Sequence, residues 1–118
     1  MAGSVTLGEL TEEMLRLSRL LDAGLAALRE ESRKYAEADV AYRRKYAEAF
    51  LRSEGTVAER EQVAVSAALE ERVGMNLADG VKVSALEAVR SRRTQLSVLQ
   101  TIVNGLRVEM EFDRTGPN

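Results

Sequence analysis

The strongest constraint on the fold is a row of mostly apolar residues, spaced alternately three and four positions apart, along the first half of the chain. This spacing places the row on one side of an α-helix covering residues 7–53. Such a helix would be about 70 Å long at about 1.5 Å per residue. Its apolar side therefore needs a cover, which is either the second half of the chain or other copies of it. The apolar and aromatic members of the row are Leu7, Leu10, Met14, Leu17, Leu21, Leu28, Tyr35, Ala38, Tyr42 and Ala49.

The start of this helix carries a capping signal. Thr6 precedes the row, and Glu9 follows three positions later, which is the spacing of a capping box. Val5 and Leu10 occupy the two positions of a hydrophobic staple around that cap. Residues 1–5 and 115–118 are predicted to be short tails.

Residues 53–56 predict the end of the first helix and the start of a second. Gly55 suits the left-handed conformation that commonly follows a helix end. Thr56 with Glu59 repeats the capping-box spacing. A helix end followed at once by a helix start is typical of a hairpin of two helices.

The second half of the chain is predicted to contain two helical stretches separated by a break. The first covers residues 57–73 and is rich in alanine. Glycine and asparagine then crowd residues 74–80, where we expect a kink or a loop because both residue types weaken a helix. The last helix is expected at 81–111, with its apolar row formed by Ala85, Val89, Leu96, Leu99, Val103, Leu106 and Met110.

A hairpin that turns at Gly55 places residue i opposite residue 110 − i. Bulky residues then face small ones near the turn, and large aliphatic residues face each other at the open end, as dense packing requires. The pairs are Tyr42 with Ala68, Tyr46 with Ala64, and Met14 with Leu96. We therefore expect a single all-α domain (1–118): a long, coiled-coil-like antiparallel hairpin with a broken return arm. Alternatively, the chain folds again at 74–80 and lays a third helix along the pair.

The last helix also has a second apolar edge, formed by Val98 and Ile102 with Gly105 below them. Two apolar edges on one helix imply contacts on two sides, which favours assembly of several copies. The aromatic content of 4% agrees with a thin helical core. The predicted oligomer interface consists of Leu96, Val98, Leu99, Ile102, Val103 and Leu106.

Composition argues against several classes of function. The chain has no cysteine and no histidine, so it lacks thiolate metal ligands, the usual general base and the commonest metal ligand. Glu70 and Glu71 are adjacent acids of the kind usually found on a helix surface. We expect no enzyme activity, metal, cofactor or small-molecule substrate. No apolar run reaches the length of a membrane span, and the N-terminus lacks signal-peptide features, so the cytoplasm is the expected location.

One stretch departs from the net charge of −2. Between residues 88 and 108 there is no acid, and the four arginines give a local charge of +4. Clustered arginines can follow a nucleic-acid backbone; the alternative is a solvated face or ion pairs between helices. A second cluster, at 43–45, is flanked by Tyr42 and Tyr46, which could stack on bases but are more often core residues at helical spacing. The candidate nucleic-acid-binding residues are Arg43, Arg44, Lys45, Arg90, Arg92 and Arg93.

Two runs of sequence resemble a known group of proteins. They are YRRKYAEAFLRSEGTVAERE, from residue 42, and LEAVRSRRTQLSVLQTIVNGLRVEMEF, from residue 86. Together they resemble small helical phage-encoded proteins and the UvsY-type phage recombination mediators. The resemblance implies an oligomeric all-α protein that binds single-stranded DNA and helps a recombinase to displace single-strand-binding protein. It also implies a location in the cytoplasm of the host cell.

A second hypothesis belongs to a different class. A hairpin with two apolar edges and no catalytic residues is also typical of a structural or adaptor module, which is the alternative to the mediator hypothesis. Such a module assembles with its own copies or docks a helix of a partner protein. Binding to single-stranded oligonucleotide discriminates between the two hypotheses.

Overall fold

A computed structural model of the chain describes residues 5–115. It consists of three helices: α1 (Leu7–Arg52), α2 (Val57–Ala67) and α3 (Leu69–Thr115). The described residues contain no strand. The predicted all-α hairpin is therefore confirmed. The predicted tails fall outside the described residues except for Val5 and Thr115. Thr115 is the last residue of α3, so this helix continues four residues beyond its predicted end at residue 111.

Both predicted helix starts have the expected cap. The Thr6 hydroxyl oxygen accepts a hydrogen bond of 3.0 Å from the backbone N–H of Glu9. The Thr56 hydroxyl accepts one of 3.2 Å from the N–H of Glu59. Each bond satisfies one of the backbone donors left free at a helix N-terminus. Between the two helices Gly55 has a φ of 111°, the positive value expected of the turn glycine.

The predicted break at 74–80 is wrong, because α3 runs through it without interruption. Gly74 and Gly80 both point away from the packed side, and a Cβ atom added at either would meet nothing within 4 Å. Met75 and Ala78 are half-buried and continue the row of α3 toward its N-terminus. Each outward glycine costs the helix about 1 kcal/mol relative to alanine, which packing of the opposite side offsets. A third helix folded back from 74–80 is excluded.

The return arm is broken nearer the turn, at Ala68. This residue has φ −101° and ψ 14°, so it lies between α2 and α3. Its N–H still donates to the Ala64 carbonyl at 3.0 Å, and its own carbonyl accepts from the Arg72 N–H at 2.9 Å. The inward residues are spaced four apart before Ala68 and alternately three and four apart after it. The interruption therefore coincides with a change in packing period.

The helices form two compact units, and each is built from two antiparallel segments. The first unit comprises Met1–Leu25 and Glu87–Asn118. Its core is aliphatic and thin, with Leu10 and Leu17 of α1 buried together with Val89 and Val103 of α3.

Gly24 lies on the inward side of α1 in this unit. A Cβ at Gly24 would stand 3.4 Å from Cγ2 of Val89, and Val89 is only 1% exposed. The missing side chain of Gly24 therefore lets Val89 be covered by the opposing helix.

The second unit comprises Ala26–Leu86 and contains the turn. Its smallest inward residues, Ala64 and Ala68, are completely buried. The ring centroids of Tyr42 and Tyr46 are 6.1 Å apart, and those of Tyr46 and Phe50 are 6.5 Å apart. The second unit therefore combines a row of aromatic side chains on one arm with completely buried alanines on the other.

Long cationic side chains of the return arm complete this packing. Lys82 places its Nζ 4.2 Å from the ring centroid of Tyr35. Arg72 lies over the Tyr42 ring at 5.8 Å and donates to the Tyr42 hydroxyl at 3.3 Å. Cations above aromatic faces contribute about 0.5–1 kcal/mol each when exposed.

Candidate interaction surfaces

Helix α3 carries two parallel rows of residues, and only one of them faces α1. The facing row includes the buried residues Val89 and Val103. The second row has the same alternation of three and four positions but begins one residue earlier, so it lies on an adjacent side of the helix. All its members are exposed. This second row consists of Ala88, Ser91, Gln95, Val98, Ile102 and Gly105.

The second row has no charged residue, in a chain that is 31% charged. Its two large members, Val98 and Ile102, are 54% and 45% exposed. Its other members are small, apart from Gln95, and nothing lies within 4 Å of a Cβ placed on Gly105. Large aliphatic residues flanked by small ones form a surface onto which another helix can pack closely.

A groove of about 310 Å³ lies beside the second row, within the first unit. Val98 and Gln95 line it from α3, and Leu17 and Glu13 line it from α1. Arg16 forms an ion pair with Glu13, and the hydrogen bond from Arg16 lowers the pKa of the Glu13 carboxyl. The groove therefore has an apolar floor and an electrically balanced rim.

The structure divides the six predicted interface residues into two groups. Val98 and Ile102 belong to the exposed second row. The other four lie in the row that faces α1, where Val103 is 3% exposed and the remaining three are half-buried. These four contribute to the fold of a single chain, whereas Val98 and Ile102 remain exposed. The four are Leu96, Leu99, Val103 and Leu106.

The predicted basic cluster of α3 does not form one surface. Arg92 lies on the half-buried side that faces α1 and donates to the side-chain oxygen of Gln95 at 3.2 Å. Arg90 pairs at 3.1 Å with Glu87, an acid just before the acid-free stretch. Of the three candidates only Arg93 is exposed and has no acidic partner among residues 5–115.

The second predicted cluster, in α1, is also divided. Arg43 pairs with Asp39 at 3.2 Å, while Arg44 and Lys45 are exposed. The neighbouring rings of Tyr42 and Tyr46 are half-buried and contact each other. These rings serve the packing of the second unit rather than offering their faces to a ligand.

A different basic edge does form within the first unit. Arg93, Gln100 and Arg107 are seven residues apart and therefore share one position beside the facing row of α3. Arg107 and Gln100 line a cleft of about 360 Å³ together with Thr11 and Ser18 of α1. We call Arg93, Gln100 and Arg107 the basic edge. The seven-residue spacing in the sequence was the signal that could have identified it.

Other kinds of site do not appear in the part of the chain that the structure describes. None of the helices between residues 5 and 115 has an apolar stretch that could cross a membrane. Within the same range, no cluster of three or more acidic side chains is arranged to hold a metal ion. The exposed second row and the basic edge are two candidate interaction surfaces of the first unit.

Comparisons with known proteins add no assignment. Neither the protein-family models, nor the curated proteins, nor the solved structures contain a match to this chain. Function must be argued from the two surfaces themselves.

Proposed function

We propose that this protein is a non-enzymatic structural module that assembles with copies of itself through the second row of α3. The observation that carries the proposal is the exposed, uncharged second row beside a thin core. Only six apolar residues of the described chain are buried. A small helical pair with so few buried side chains gains much of its stability by burying further apolar surface on association.

The amount of exposed surface supports association. The chain exposes 8867 Å², whereas a compact monomer of 13.0 kDa exposes about 6,300 Å². The excess of about 2,500 Å² is larger than the roughly 800 Å² per partner that a standard protein interface buries. Enough surface is therefore available for an interface of ordinary size.

The absence of charge on the second row favours a second copy as its occupant. A surface that recognises a foreign partner commonly carries charges complementary to that partner. The six residues of the second row between Ala88 and Gly105 carry none, so this part of the row can face its copy without repulsion. Each copy also presents the same Val98 and Ile102 to the other, as an interface between identical surfaces requires.

Light scattering coupled to size-exclusion chromatography tests this proposal. We expect the protein to be a dimer or larger at about 50 μM, and we expect Val98→Glu with Ile102→Glu to reduce it to a monomer, because charges resist burial. Ser97→Glu with Asn104→Glu adds the same charge at exposed positions that lie away from the second row and should leave the assembly unchanged. A wild-type protein that is monomeric at this concentration would contradict the proposal.

A second candidate function is binding of single-stranded DNA, and the basic edge supports it. Arg93 and Arg107 place two guanidinium groups along one side of α3, and the hydrogen-bonding side chains of Gln100, Thr11 and Ser18 lie next to Arg107. Guanidinium groups bind phosphate with directed pairs of hydrogen bonds. Assembly would repeat the edge and lengthen the path for a nucleic-acid backbone.

The resemblance to UvsY-type proteins supplies a biological role for this second candidate function. In that role the oligomer would act as a phage-type recombination mediator in the cytoplasm. It would hold single-stranded DNA while a recombinase replaces single-strand-binding protein. This role depends on DNA binding, so a binding measurement is its first test.

Fluorescence anisotropy of a labelled oligonucleotide provides that measurement. We expect Arg93→Ala with Arg107→Ala to weaken binding and to reduce the slope of log K against log salt by about 1.4, since each phosphate contact on a single strand contributes about 0.7. Arg16→Ala with Arg19→Ala removes the same charge from α1 of the same unit and should leave the slope unchanged. No binding at about 20 mM salt would eliminate the mediator role and leave the structural one.

A further inference from the structure

We propose that two copies meet in antiparallel orientation along the second row, with Val98 of each copy packed against Ile102 of the other. This inference rests on the proposed self-assembly and adds to it a defined partner surface, orientation and register. The symmetry axis passes between the two Val98–Ile102 contacts. Both large exposed aliphatic residues of the row, 54% and 45% exposed, are then covered at once.

The row continues beyond Gly105 with unchanged spacing, to Glu109 and Phe112. Phe112 is 64% exposed, so it too is available for contact. Within the first unit, whose α3 part begins at Glu87, the row that can pair therefore covers residues 88–112. Its centre lies at residue 100, midway between Val98 and Ile102.

Antiparallel pairing about this centre brings complementary residues together. The residues of the row alternate between two positions of a heptad. In an antiparallel pair of helices, a residue at one of these positions faces a residue at the other position in the partner helix. Val98 and Ile102 then meet each other, Phe112 and Gln95 each meet a small residue, and the single acid meets a hydroxyl group. The resulting contacts are Ala88 with Phe112, Ser91 with Glu109, Gln95 with Gly105, and Val98 with Ile102.

Neighbouring registers pair the same residues less well. A shift of one heptad in one direction places Val98 against Glu109, which buries a charge without a partner. A shift in the other direction places Val98 against Gln95 and leaves Ala88 opposite Gly105, which creates a gap in the packing. The central register is the one that avoids both defects.

Parallel pairing is less favourable than antiparallel pairing. Two parallel helices in register place every residue beside its own copy. The two Glu109 carboxylates would then repel each other, and two Gly105 residues would leave a void between the helices. Antiparallel pairing places a serine beside each carboxylate and the amide of Gln95 beside each glycine.

Disulfide cross-linking can measure both orientation and register, because the chain has no cysteine of its own. We choose Gln95→Cys and Gly105→Cys, which occupy facing positions in the proposed dimer. The two positions are about 15 Å apart along one helix. Identical positions in an antiparallel dimer are thus too far apart for a disulfide, which requires Cα atoms within about 7 Å.

The two variants are mixed, allowed to exchange subunits and oxidised. We expect the mixture to form a disulfide-linked dimer at least tenfold faster than either variant alone. A second pair, Ala88→Cys with Phe112→Cys, should behave in the same way and guards against a local defect at Gly105. Ser97→Cys mixed with Asn104→Cys, at exposed positions away from the second row, reports the background from collisions.

The outcomes separate this inference from the proposed function. Cross-linking of each variant with itself would show parallel pairing and overturn the inference while leaving self-assembly intact. A dimer by light scattering with only background cross-linking in both mixed pairs would likewise overturn the orientation and register. A monomer by light scattering would overturn the self-assembly on which the inference depends.

Discussion

The guanidinium group of Arg60 lies 4.3 Å from the ring centroid of Phe50 and donates two hydrogen bonds, of 3.2 and 3.1 Å, to the backbone carbonyl of that residue. The same carbonyl accepts a 2.8 Å bond from the Ser53 hydroxyl. The Phe50 carbonyl is one of those left free at the end of α1, and it is therefore satisfied by a side chain of the arm that follows. This arrangement ties the start of the return arm to the end of α1.

Replacement of Arg60 should loosen the turn. We expect Arg60→Ala to lower the free energy of unfolding by about 2 kcal/mol, since hydrogen bonds from a charged group contribute about 1.5–3 kcal/mol. Arg60→Lys should recover only part of the loss, because an ammonium group cannot make the paired bonds. Urea denaturation followed by circular dichroism, at one protein concentration, measures both variants. Arg44→Ala, at an exposed position, is the control and should be neutral.

Gly55→Ala should also destabilise the turn. A non-glycine residue at a φ of 111° is strained by about 1–2 kcal/mol, and the new Cβ would collide with the Glu59 side chain. We expect the thermal midpoint to fall by several degrees. A variant as stable as the wild type would show that the turn does not require the positive φ.

Gly74→Ala and Gly80→Ala should have the opposite effect. Both glycines are inside α3 with open space around the Cβ position, and alanine favours a helix by about 1 kcal/mol over glycine. We expect each substitution to raise the free energy of unfolding by about 0.5–1 kcal/mol. If either lowered it, the helix would not be continuous through residues 74–80.

The ion pair between Glu30 and Arg33 should make stability depend on acid pH. The bond from Arg33 to Glu30 is 2.6 Å long, and this hydrogen bond lowers the pKa of the Glu30 carboxyl below its ordinary value. A carboxyl whose pKa is lowered by folding stabilises the protein above its unfolded pKa, and the effect disappears as pH falls through the folded pKa. Glu30→Gln should therefore be less stable than the wild type at pH 7 and equally stable near pH 2.

Titration of the Glu30 carboxyl by nuclear magnetic resonance gives an independent check of the same pair. We expect its midpoint to lie below that of an ordinary glutamate and to rise in about 1 M salt, because salt screens exposed charges. A midpoint that does not respond to Arg33→Gln would contradict the assigned cause.

The sequence was sufficient to predict those parts of the fold that depend on local signals. Thr6, Thr56 and Gly55 act through groups within a few residues of themselves, so their caps and turn follow from spacing alone. The apolar row of α1 likewise predicts its packed side directly. These are the features that the structure confirms.

The prediction of a break at 74–80 is wrong because the side of the helix on which a residue lies matters more than its residue type. Gly74 and Gly80 weaken a helix on average, yet both lie on the outer side, where they disturb no packing. Met75 and Ala78 fall on the inner side and maintain the contact with α1. The alternate spacing of three and four residues along the whole row, from Ala68 onward, is the sequence pattern that indicates this continuity.

The candidate basic site was predicted less well than the fold. Adjacent arginines in a sequence point in different directions on a helix, so Arg92 and Arg93 cannot share a surface. Ion pairs such as that between Arg90 and Glu87 depend on side-chain positions that composition does not show. The exposed second row was visible in part through Val98 and Ile102, but which residues α1 already covers required the structure.

The four-residue spacing near the turn has a consequence for the alignment of the two arms. The aromatic residues Tyr42, Tyr46 and Phe50 lie four apart on α1, and the inward residues Arg60, Ala64 and Ala68 lie four apart on the return arm. A uniform heptad pattern can slide by seven residues and still match itself. Here such a slide would move the tyrosines away from the buried alanines. The local change of spacing thus restricts the two arms to a single alignment.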